Sequence, residues 1–389
     1  MTTTGCDVLV VGLGVFGAAT TWALSQRGAT ALAIDAHGPT HRHGSSHGDS
    51  RIFRRAYREG AHYLPLLNRA DQLWNELEQS HGDPLLVRSG GVFVGTAASG
   101  VVEASRRTAE AGGVPHELWN GTELAEHYPW FGSAPDISAL YEPGAYAVLA
   151  TRARLAMLDA AVHHGVPLRF GTEAVDVRPG RNGVTVRLGS GEDVVCDAVV
   201  LAAGPWMPKL PSAGLTEVLQ PMRVPVYWFR PDPRLGTNGF PVFLYETPEG
   251  GVLYGLSEWS GDERLLKIGF HDLQNRPGDP DGTTPEVPPE FRKEIEAAID
   301  RLFPGVRPEP VAWRTCFYTM SPDGDFIVDT APGTPSVVRV SACSGHGFKF
   351  APAVGECAAA LALGETPAVD LTSFAAARFA GRGDFTGRG

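Results

Sequence analysis

The hydrophobic pattern near the N-terminus predicts a strand, a helix and a second strand. Residues 7–11 form an uninterrupted apolar run, which is typical of a buried parallel strand. Residues 15–27 are apolar enough for a buried helix, and Thr30 to Ile34 form a second apolar run that ends at Asp35. This order predicts a βαβ unit, in which a helix joins two parallel strands.

A glycine-rich turn joins the first strand to the helix. It reads Gly12-Leu13-Gly14-Val15-Phe16-Gly17. Gly12 suits the tight turn, Gly14 lets the backbone approach a pyrophosphate, and Gly17 lets the helix pack on the strand. Asp35 lies where such folds place an acid that binds a ribose hydroxyl. We therefore predict nucleotide binding here, with a purely structural turn as the alternative.

The rest of the chain alternates between helical and strand-like patterns. Helices are predicted at Tyr63–Glu78, Leu155–His164, Arg292–Leu302 and 351–363. Buried strands are predicted at Val184–Leu188, Val194–Cys196, Ala198–Leu201, Phe326–Asp329 and Val337–Ser341. Residues 221–275 alternate as antiparallel strands do, and residues 85–150 hold short strands and prolines.

A second glycine-rich turn stands near the other end of the chain. It reads Ser344-Gly345-His346-Gly347-Phe348-Lys349-Phe350, and an apolar helix follows it. Backbone N–H groups in such a turn, and the N-terminus of the helix, favour an anionic ligand. Two turns so far apart in sequence suggest one large cofactor held from both ends, which favours FAD over NAD.

We predict an α/β fold (α+β overall). A Rossmann-type FAD-binding domain is expected from residues 1–85, 151–220 and 325–389. A second domain, with a mainly antiparallel sheet, is expected from residues 86–150 and 221–324 and binds the substrate. The default place for a site is the cleft between such domains.

Composition and charge narrow the possible partners and the compartment. With 389 residues, 43% of them hydrophobic, the chain is long enough for two domains with cores. The net charge of −11 argues against nucleic acid. We predict no membrane or signal segment at Val8–Leu24, because no Lys or Arg precedes it and it holds the turn glycines. The five cysteines show no metal-type spacing, so we predict reduced thiols and a cytoplasmic protein without a metal.

Four arginines lie in one short segment of this acidic chain: Arg51, Arg54, Arg55 and Arg58. If the segment is helical, they lie along one face. They then bind a substrate carboxylate or balance the charge of a cofactor. The alternative is a solvated face paired with Asp49 and Glu59, and spacing alone does not separate the two.

Three further features are ambiguous from pattern alone. Residues 265–271 alternate like a strand, which places Lys267 and His271 on one face about 13 Å apart. An inward lysine is a base of lowered pKa or a fixed cation, whereas an outward one is merely solvated. Cys316 is either an inert buried thiol or a special one. Residues 202–206, after an apolar strand, either touch the cofactor again or form an ordinary strand end.

Several short motifs follow one another along the chain. They are Val8–Gly17, His47–Arg54 with Ala56-Tyr57, Glu142-Pro143, Tyr254-Gly255, Lys267–Gly269 with His271, Cys316 with Tyr318, Phe326–Asp329 and Ser344–Phe350. Together they resemble the monomeric sarcosine oxidase and N-methyltryptophan oxidase family of D-amino-acid-oxidase-like FAD-dependent oxidoreductases. The resemblance implies an FAD-dependent amine oxidase that converts a secondary amino acid, N-methylated or cyclic, to an imine and reduces O2 to H2O2.

The resemblance also implies roles for individual residues. Arg54 and Lys349 hold the substrate carboxylate, with Tyr318 nearby. Lys267 activates oxygen, while Arg51 and His47 flank the flavin and assist its covalent attachment to the sulfur of Cys316. Tyr254, His271 and Leu244 line the substrate cavity. The cofactor-binding residues are Gly12, Gly14, Val15, Phe16, Gly17, Asp35, Ala36, Ser45, Arg51, Val175, Ala203, Gly204, Trp206, Cys316, Gly345, Gly347, Phe348 and Lys349.

The chain departs from the family pattern at a few positions, which bear on the substrate more than on the chemistry. Ser46 and Arg55 stand where relatives tend to have histidine, and Cys343 is another change. A biosynthetic tailoring oxidase or a dehydrogenase acting on a cyclic imino acid remains the alternative enzyme, and a nucleotide-binding protein without catalysis is the alternative class. The expected partners are a small amine and O2, and the expected state is a monomer.

Overall fold

The structure is a computed structural model that describes residues 4–96, 99–132, 136–181, 183–232, 240–260, 263–282 and 286–380. Its helices are α1 (Val15–Gln26), α2 (Leu64–His81), α3 (Gly100–Gly112), α4 (Gly121–His127), α5 (Ala150–His163), α6 (Pro289–Leu302) and α7 (Ala351–Ala362). Its strands are β1 (Thr4–Val11), β2 (Ala31–Asp35), β3 (Arg51–Phe53), β4 (Leu86–Val87), β5 (Gly91–Thr96), β6 (Glu117–Asn120), β7 (Ile137–Glu142), β8 (Tyr146–Val148), β9 (Leu168–Phe170), β10 (Ala174–Gly180), β11 (Gly183–Leu188), β12 (Asp193–Leu201), β13 (Gln220–Phe229), β14 (Val242–Glu246), β15 (Val252–Ser260), β16 (Glu263–Phe270), β17 (Arg276–Pro277), β18 (Ala312–Met320), β19 (Ile327–Ala331) and β20 (Thr334–Ser341).

The first sheet has a parallel centre. Its strand order is β10-β11-β12-β1-β2-β9, and β20 pairs with the second half of β12 and carries β19. Strands β1, β2, β9, β12 and β20 run parallel. Helices α1, α2, α5 and α7 contribute to the main hydrophobic core on one face of this sheet. Burial on both faces explains why β1 and β2 are continuous apolar runs.

The second sheet is mainly antiparallel. Its strand order is β17-β13-β16-β15-β14-β5-β7-β6, and β18 also pairs with β13. The exception is the parallel pair of β5 and β14. Helix α6 packs Phe291, Ile295 and Ile299 into the core of this sheet. Strands far apart in sequence therefore meet, and β13 brings Cys316 of β18 opposite Val224.

The parallel order places the two glycine turns at the same edge of the first sheet. The turn at Gly12 follows β1, and the turn at Ser344 follows β20. Since β1, β12 and β20 run in the same direction, their carboxyl ends meet at one edge, where α/β sheets bind ligands. Helices α1 and α7, which follow the two turns, pack against each other.

The predicted α/β fold is confirmed, and most predicted elements occur within a few residues of their predicted ends. The two predicted strands at 194–196 and 198–201 are one strand, β12. The region 85–150 also contains α3 and α4, which the pattern did not predict. The residues from Arg51 to Arg58 are not helical, because Arg51–Phe53 pairs with β8 as strand β3.

The two sheets take their strands from different parts of the chain, which bears on the predicted division into domains. The first sheet takes its strands from residues 4–35, 168–201 and 327–341, and the second from residues 91–142 and 220–320. Assignment of substrate binding to the second region stays a prediction. Residues 381–389 of the predicted FAD domain lie outside the described residues.

Candidate active site

The first glycine turn depends on two close backbone approaches. Gly12 has a φ of +93°, and a Cβ there would lie 2.6 Å from the carbonyl oxygen of Ala202. A Cβ at Gly17 would lie 1.7 Å from the carbonyl oxygen of Gly12. Only glycine fits either position, which lets α1 start directly against the sheet. Gly17 packs inside the turn and is not among the residues that line the adjoining cavity.

Asp35 and Ser46 fix the shape of this turn. The two carboxylate oxygens of Asp35 accept the N–H groups of Leu13 and His37, each at 2.7 Å. Ser46 Oγ accepts the N–H of Val15, at the start of α1, at 2.9 Å. The backbone of the turn is thereby held facing the cavity, and Asp35 lines that cavity as well.

The second glycine turn doubles back sharply before α7. Ser344 and Gly345 have positive φ values of 34° and 81°. A Cβ at Gly347 would lie 1.4 Å from the carbonyl oxygen of Ala342, so the turn closes only with glycine there. The side chain of Lys349 is buried and donates from Nζ to the carbonyl oxygen of His346 at 2.7 Å.

One cavity of about 770 Å³ joins the two turns. This volume suits a cofactor together with a small substrate. It is lined by the residues predicted for catalysis and substrate binding: Lys267, Arg51, His47, Tyr254, His271, Arg54, Lys349, Tyr318 and Leu244. It is also lined by the predicted cofactor residues other than Gly17: Gly12, Gly14, Val15, Phe16, Asp35, Ala36, Ser45, Val175, Ala203, Gly204, Trp206, Cys316, Gly345, Gly347 and Phe348.

The polar groups of the cavity fit FAD. Three buried hydroxyls that line it, those of Ser45, Thr319 and Ser341, have no hydrogen-bond partner within the described part of the chain. Buried polar groups rarely stay unsatisfied, so these positions call for a polar ligand. The turn at Gly12 offers backbone and a helix N-terminus to a pyrophosphate. The cavity continues past Cys343 to the second turn, which leaves room for a ring system.

A cluster of charged groups lies at the far end of the cavity. Arg54 Nη2 lies 2.9 and 2.8 Å from the two carboxylate oxygens of Glu59. Arg54 also lies over the ring of Tyr57, and so does Lys349 Nζ. Burial would raise the pKa of Glu59, but Arg54, together with His346, Arg58 and Lys349, outweighs burial and holds that pKa well below its usual range. Burial and the charge of Arg54 lower the pKa of Lys349 to about 7.

Lys267 points inward, so the solvated alternative is wrong. Its Nζ donates to the carbonyl oxygen of Ser50 at 2.9 Å and to Glu258 Oε1 at 3.1 Å. Burial lowers the pKa of Lys267, and the charge of Arg51 adds to this effect. The attraction of Glu258 opposes both. The site therefore contains an inward lysine that forms an ion pair with one buried carboxylate.

Cys316 lies beside the loop of residues 45–50, which accepts hydrogen bonds from Arg51. The guanidinium of Arg51 donates to the carbonyl oxygens of Ser45, His47 and Ser50, at 2.9, 2.7 and 2.7 Å. Cys316 Sγ lies 3.7 Å from the carbonyl oxygen of Ser45. Burial raises the pKa of Cys316, while Arg51 lowers it. Burial, with Arg51 and Lys267, lowers the pKa of His47 to about 3, so this imidazole is neutral at physiological pH.

Tyr254, Leu244, His271 and Tyr318 form the wall next to the charged cluster. Tyr254 and Leu244 are paired neighbours on β15 and β14. The rings of His271 and Tyr318 lie 5.8 Å apart, and His271 immediately follows β16. Burial lowers the pKa of His271 to about 3 and raises that of Tyr254 to about 12. The wall is therefore uncharged near neutral pH.

Two carboxylates of the site were missed by sequence reasoning. Glu59 was considered only as a partner on a solvated face, and Glu258 was not considered. A signal for Glu258 is present, because a glutamate on the face of β15 that also carries Tyr254 and Leu256 interrupts an apolar pattern. No comparable pattern marks Glu59, whose position depends on how the non-helical segment folds back on Arg54.

Residues 7–361 match the family model of FAD-dependent oxidoreductases. The chain belongs to this family. N-methyl-L-tryptophan oxidase from Salmonella agona (strain SL483) is 35% identical over 387 residues, which covers 96% of this chain and 99% of that enzyme. The enzyme of the same name from Salmonella typhimurium (strain LT2) matches at the same identity and coverage. The predicted family and the predicted dependence on FAD are confirmed.

Solved structures agree on the fold of this FAD-dependent oxidoreductase. NikD, described as an unusual amino acid oxidase essential for nikkomycin biosynthesis, matches with a TM-score of 0.84 and 24% identity. That match covers 96% of this chain and 98% of NikD. Glycine oxidase from Geobacillus kaustophilus matches with a TM-score of 0.77 and 22% identity, over 96% and 98% of the two chains. At these identities the likeness is one of fold.

Among the described residues, no helix has the length and apolarity needed to cross a bilayer. In the same part of the chain, no group of three or more His, Cys, Asp or Glu side chains is placed to hold a metal ion. The five cysteines, all described, are free thiols.

Proposed function

We propose that this chain oxidises the C–N bond of a secondary amino acid, N-methylated or cyclic, to an imine and reduces O2 to H2O2. The observation that carries the proposal is the meeting of Arg54, Lys349 and Lys267 in one cavity that also reaches the turn at Gly12. The substrate class is supported by the full-length similarity to enzymes named N-methyl-L-tryptophan oxidase.

Arg54 and Lys349 bind the substrate carboxylate in this proposal. Arg54 already binds one carboxylate, that of Glu59, whose two oxygens both accept from Arg54 Nη2. A substrate carboxylate takes the place of Glu59 on the guanidinium and meets Lys349 from the other side. Its charge favours the ammonium form of Lys349, whose pKa is otherwise lowered to about 7. Two cationic contacts fix the orientation of the carbon and nitrogen that react.

The chemistry balances over two half-reactions. The substrate loses two electrons and two protons, one from carbon and one from nitrogen, and becomes an imine. FAD, when bound, accepts the two electrons and delivers them to O2. O2 takes up two electrons and two protons and leaves as H2O2, and water hydrolyses the imine to a carbonyl compound and an amine. The neutral amine is the reactive form of the substrate, so the rate at saturating substrate rises with pH.

Lys267 assists the second half-reaction. O2 becomes negatively charged when it takes up its first electron, and a buried ammonium stabilises that charge more strongly than water does. Lys267, on β16, is a buried cation that lines the cavity. The wall around Tyr254 is uncharged, so it adds no second cation there.

We also propose that FAD is joined through its 8α-methyl carbon to Cys316 Sγ. The thiol lines the cavity and must lose its proton to form the bond. Burial opposes this loss, while Arg51 and Lys267 favour it. One C–H bond of the 8α-methyl group would break as well, and the two electrons released would pass to the flavin ring and from it to O2, which leaves as H2O2. The cytoplasmic location and the monomeric state of the enzyme also remain predictions.

The test is a peroxide-coupled screen of N-methyl and cyclic amino acids with the FAD-loaded protein. We expect H2O2 with at least one secondary amino acid and none with its amine-free analogue. Anaerobic flavin bleaching by a substrate, followed by slow reoxidation in air, identifies a dehydrogenase instead. An FAD-loaded protein that is not bleached by any tested amine contradicts the proposal.

A further inference from the structure

The carboxylate of Glu258 is buried beside Lys267, and Lys267 lines the cavity. Leu256 on β15 pairs with Lys267 on β16, so Glu258 is the diagonal neighbour of Lys267 on the same face of the hairpin. The side chains of Glu258 and Lys267 are 5% and 6% exposed, respectively. A buried charge is costly unless it is paired and hydrogen-bonded, so the two residues require each other.

Three donors from different elements converge on the Glu258 carboxylate. Oε1 accepts from Ser50 Oγ and from Lys267 Nζ, and Oε2 accepts from Trp228 Nε1 of β13 at 2.5 Å. Burial opposes ionisation of Glu258, but Lys267, Ser50 and Trp228 together lower its pKa. The carboxylate is thus held ionised and in one orientation.

The same contacts decide where the Lys267 ammonium points. An ammonium has three N–H donors. One reaches the carbonyl oxygen of Ser50 and one reaches Glu258 Oε1, within the described part of the chain. The third N–H is left for the cavity that Lys267 lines.

We propose that Glu258 is a positioning residue for Lys267, which keeps the ammonium protonated and aimed at the cavity and so sets the pH range over which the reduced enzyme reacts with O2. This inference rests on the proposed role of Lys267 in the oxidase reaction. It assigns no contact between Glu258 and the substrate.

Among the groups that face Lys267, Glu258 does most to favour its protonated form. Arg51 of β3 and the loop residue His47 surround it from one side, and Cys316 of β18 faces it from another. Burial and Arg51 disfavour the ammonium, while Glu258 and, to a smaller extent, Cys316 favour it. If Cys316 becomes a thioether to FAD, it carries no charge, and Glu258 is then the group that opposes burial.

The test is Glu258→Gln, which keeps size and hydrogen bonding but removes the charge. Enzyme reduced by substrate without oxygen is mixed rapidly with O2 between pH 6 and pH 10. In the native protein we expect a constant reoxidation rate over most of this range. In the variant the rate falls by up to tenfold per pH unit once Lys267 loses its proton. It levels off at the rate of Lys267→Met, and lowering the pH restores it.

Matched variants separate positioning from general damage. Glu263→Gln removes a carboxylate from the same hairpin that is exposed and paired with Arg230, and we expect no change in its pH profile. Glu258→Asp keeps the charge but shortens its reach, so its profile should lie between those of the native protein and Glu258→Gln. It also provides a test if the Gln variant does not fold.

A second readout does not depend on activity. If Lys267 is neutral in folded Glu258→Gln but charged after unfolding, the unfolded state binds one more proton, and stability rises with pH in that window. The thermal midpoint of Glu258→Gln should therefore rise with pH relative to that of the double variant with Lys267→Met. Equal pH dependence in the two proteins contradicts the inference.

The outcomes also separate this inference from the proposed function. Normal reoxidation in Lys267→Met contradicts the role of the lysine itself. Slow reoxidation in Lys267→Met, together with a native pH profile in Glu258→Gln, leaves the lysine in place and overturns the role of Glu258.

Discussion

Arg54 Nη2 lies within 2.9 Å of both carboxylate oxygens of Glu59. The residue predicted to bind the substrate carboxylate is therefore already bound to a carboxylate of the protein. Both groups are buried or nearly so, and Glu59 is held ionised by the neighbouring cations. The internal carboxylate keeps the guanidinium paired before a substrate arrives, and it competes with the substrate afterwards.

Arg54→Met should mainly weaken substrate binding. Loss of a charged hydrogen-bonding partner costs about 1.5–3 kcal/mol, which predicts a KM about 10- to 150-fold higher in peroxide-coupled kinetics. The matched control is Arg55→Met, because the Arg55 side chain approaches Asp71 and is not among the cavity-lining residues. Its KM should stay within about twofold of the native value. Equal KM values for the two variants would exclude Arg54 from carboxylate binding.

Lys349 should make carboxylate binding depend on pH. Its pKa is lowered to about 7 by burial and by Arg54, so it loses its proton as the pH rises through about 7 in the free enzyme. Binding of an amine-free carboxylate then requires proton uptake, and its affinity falls at higher pH. Calorimetry in buffers of different ionisation enthalpy measures this uptake, which Lys349→Met abolishes. Lys293→Met, on the exposed side of α6, should retain it.

Lys267→Met should separate the two half-reactions. We expect near-normal anaerobic reduction of the flavin by substrate, because Lys267 is not part of the carboxylate site. Reoxidation by O2 should slow by about 10²- to 10³-fold, the usual loss when a single electrostatic contact to a developing anion is removed. Rapid mixing with O2 measures this, and Lys293→Met again serves as the control. Unchanged oxygen reactivity would refute the assigned role.

Cys316→Ser tests the covalent attachment of FAD. The native protein should keep its yellow colour in the pellet after acid precipitation, whereas the variant should release FAD into the supernatant. Cys343→Ser is the matched control, since Cys343 also lines the cavity and should leave the bond intact. Release of FAD from the native protein would show that the link is absent.

The elements that the sequence predicted well are those that depend on local requirements. Buried parallel strands need continuous apolar runs. The turns at Gly12 and Gly347 accept no side chain, because a Cβ there would lie 2.6 and 1.4 Å, respectively, from a backbone carbonyl oxygen. The inward orientation of Lys267, in contrast, was one of two alternatives. In a strand, successive side chains project from opposite faces, and the sequence alone does not show which face is buried against the rest of the protein.

The sequence by itself determined the βαβ unit, the two glycine turns and the set of chemical groups available at the site. The tertiary structure decided which groups are partners. Glu59 reaches Arg54 only because the arginine segment is a strand and a turn rather than a helix, and Ser50 meets Glu258 across more than 200 residues of chain. The charge state of each group is set by burial together with its partner, and both arise only when distant strands pack.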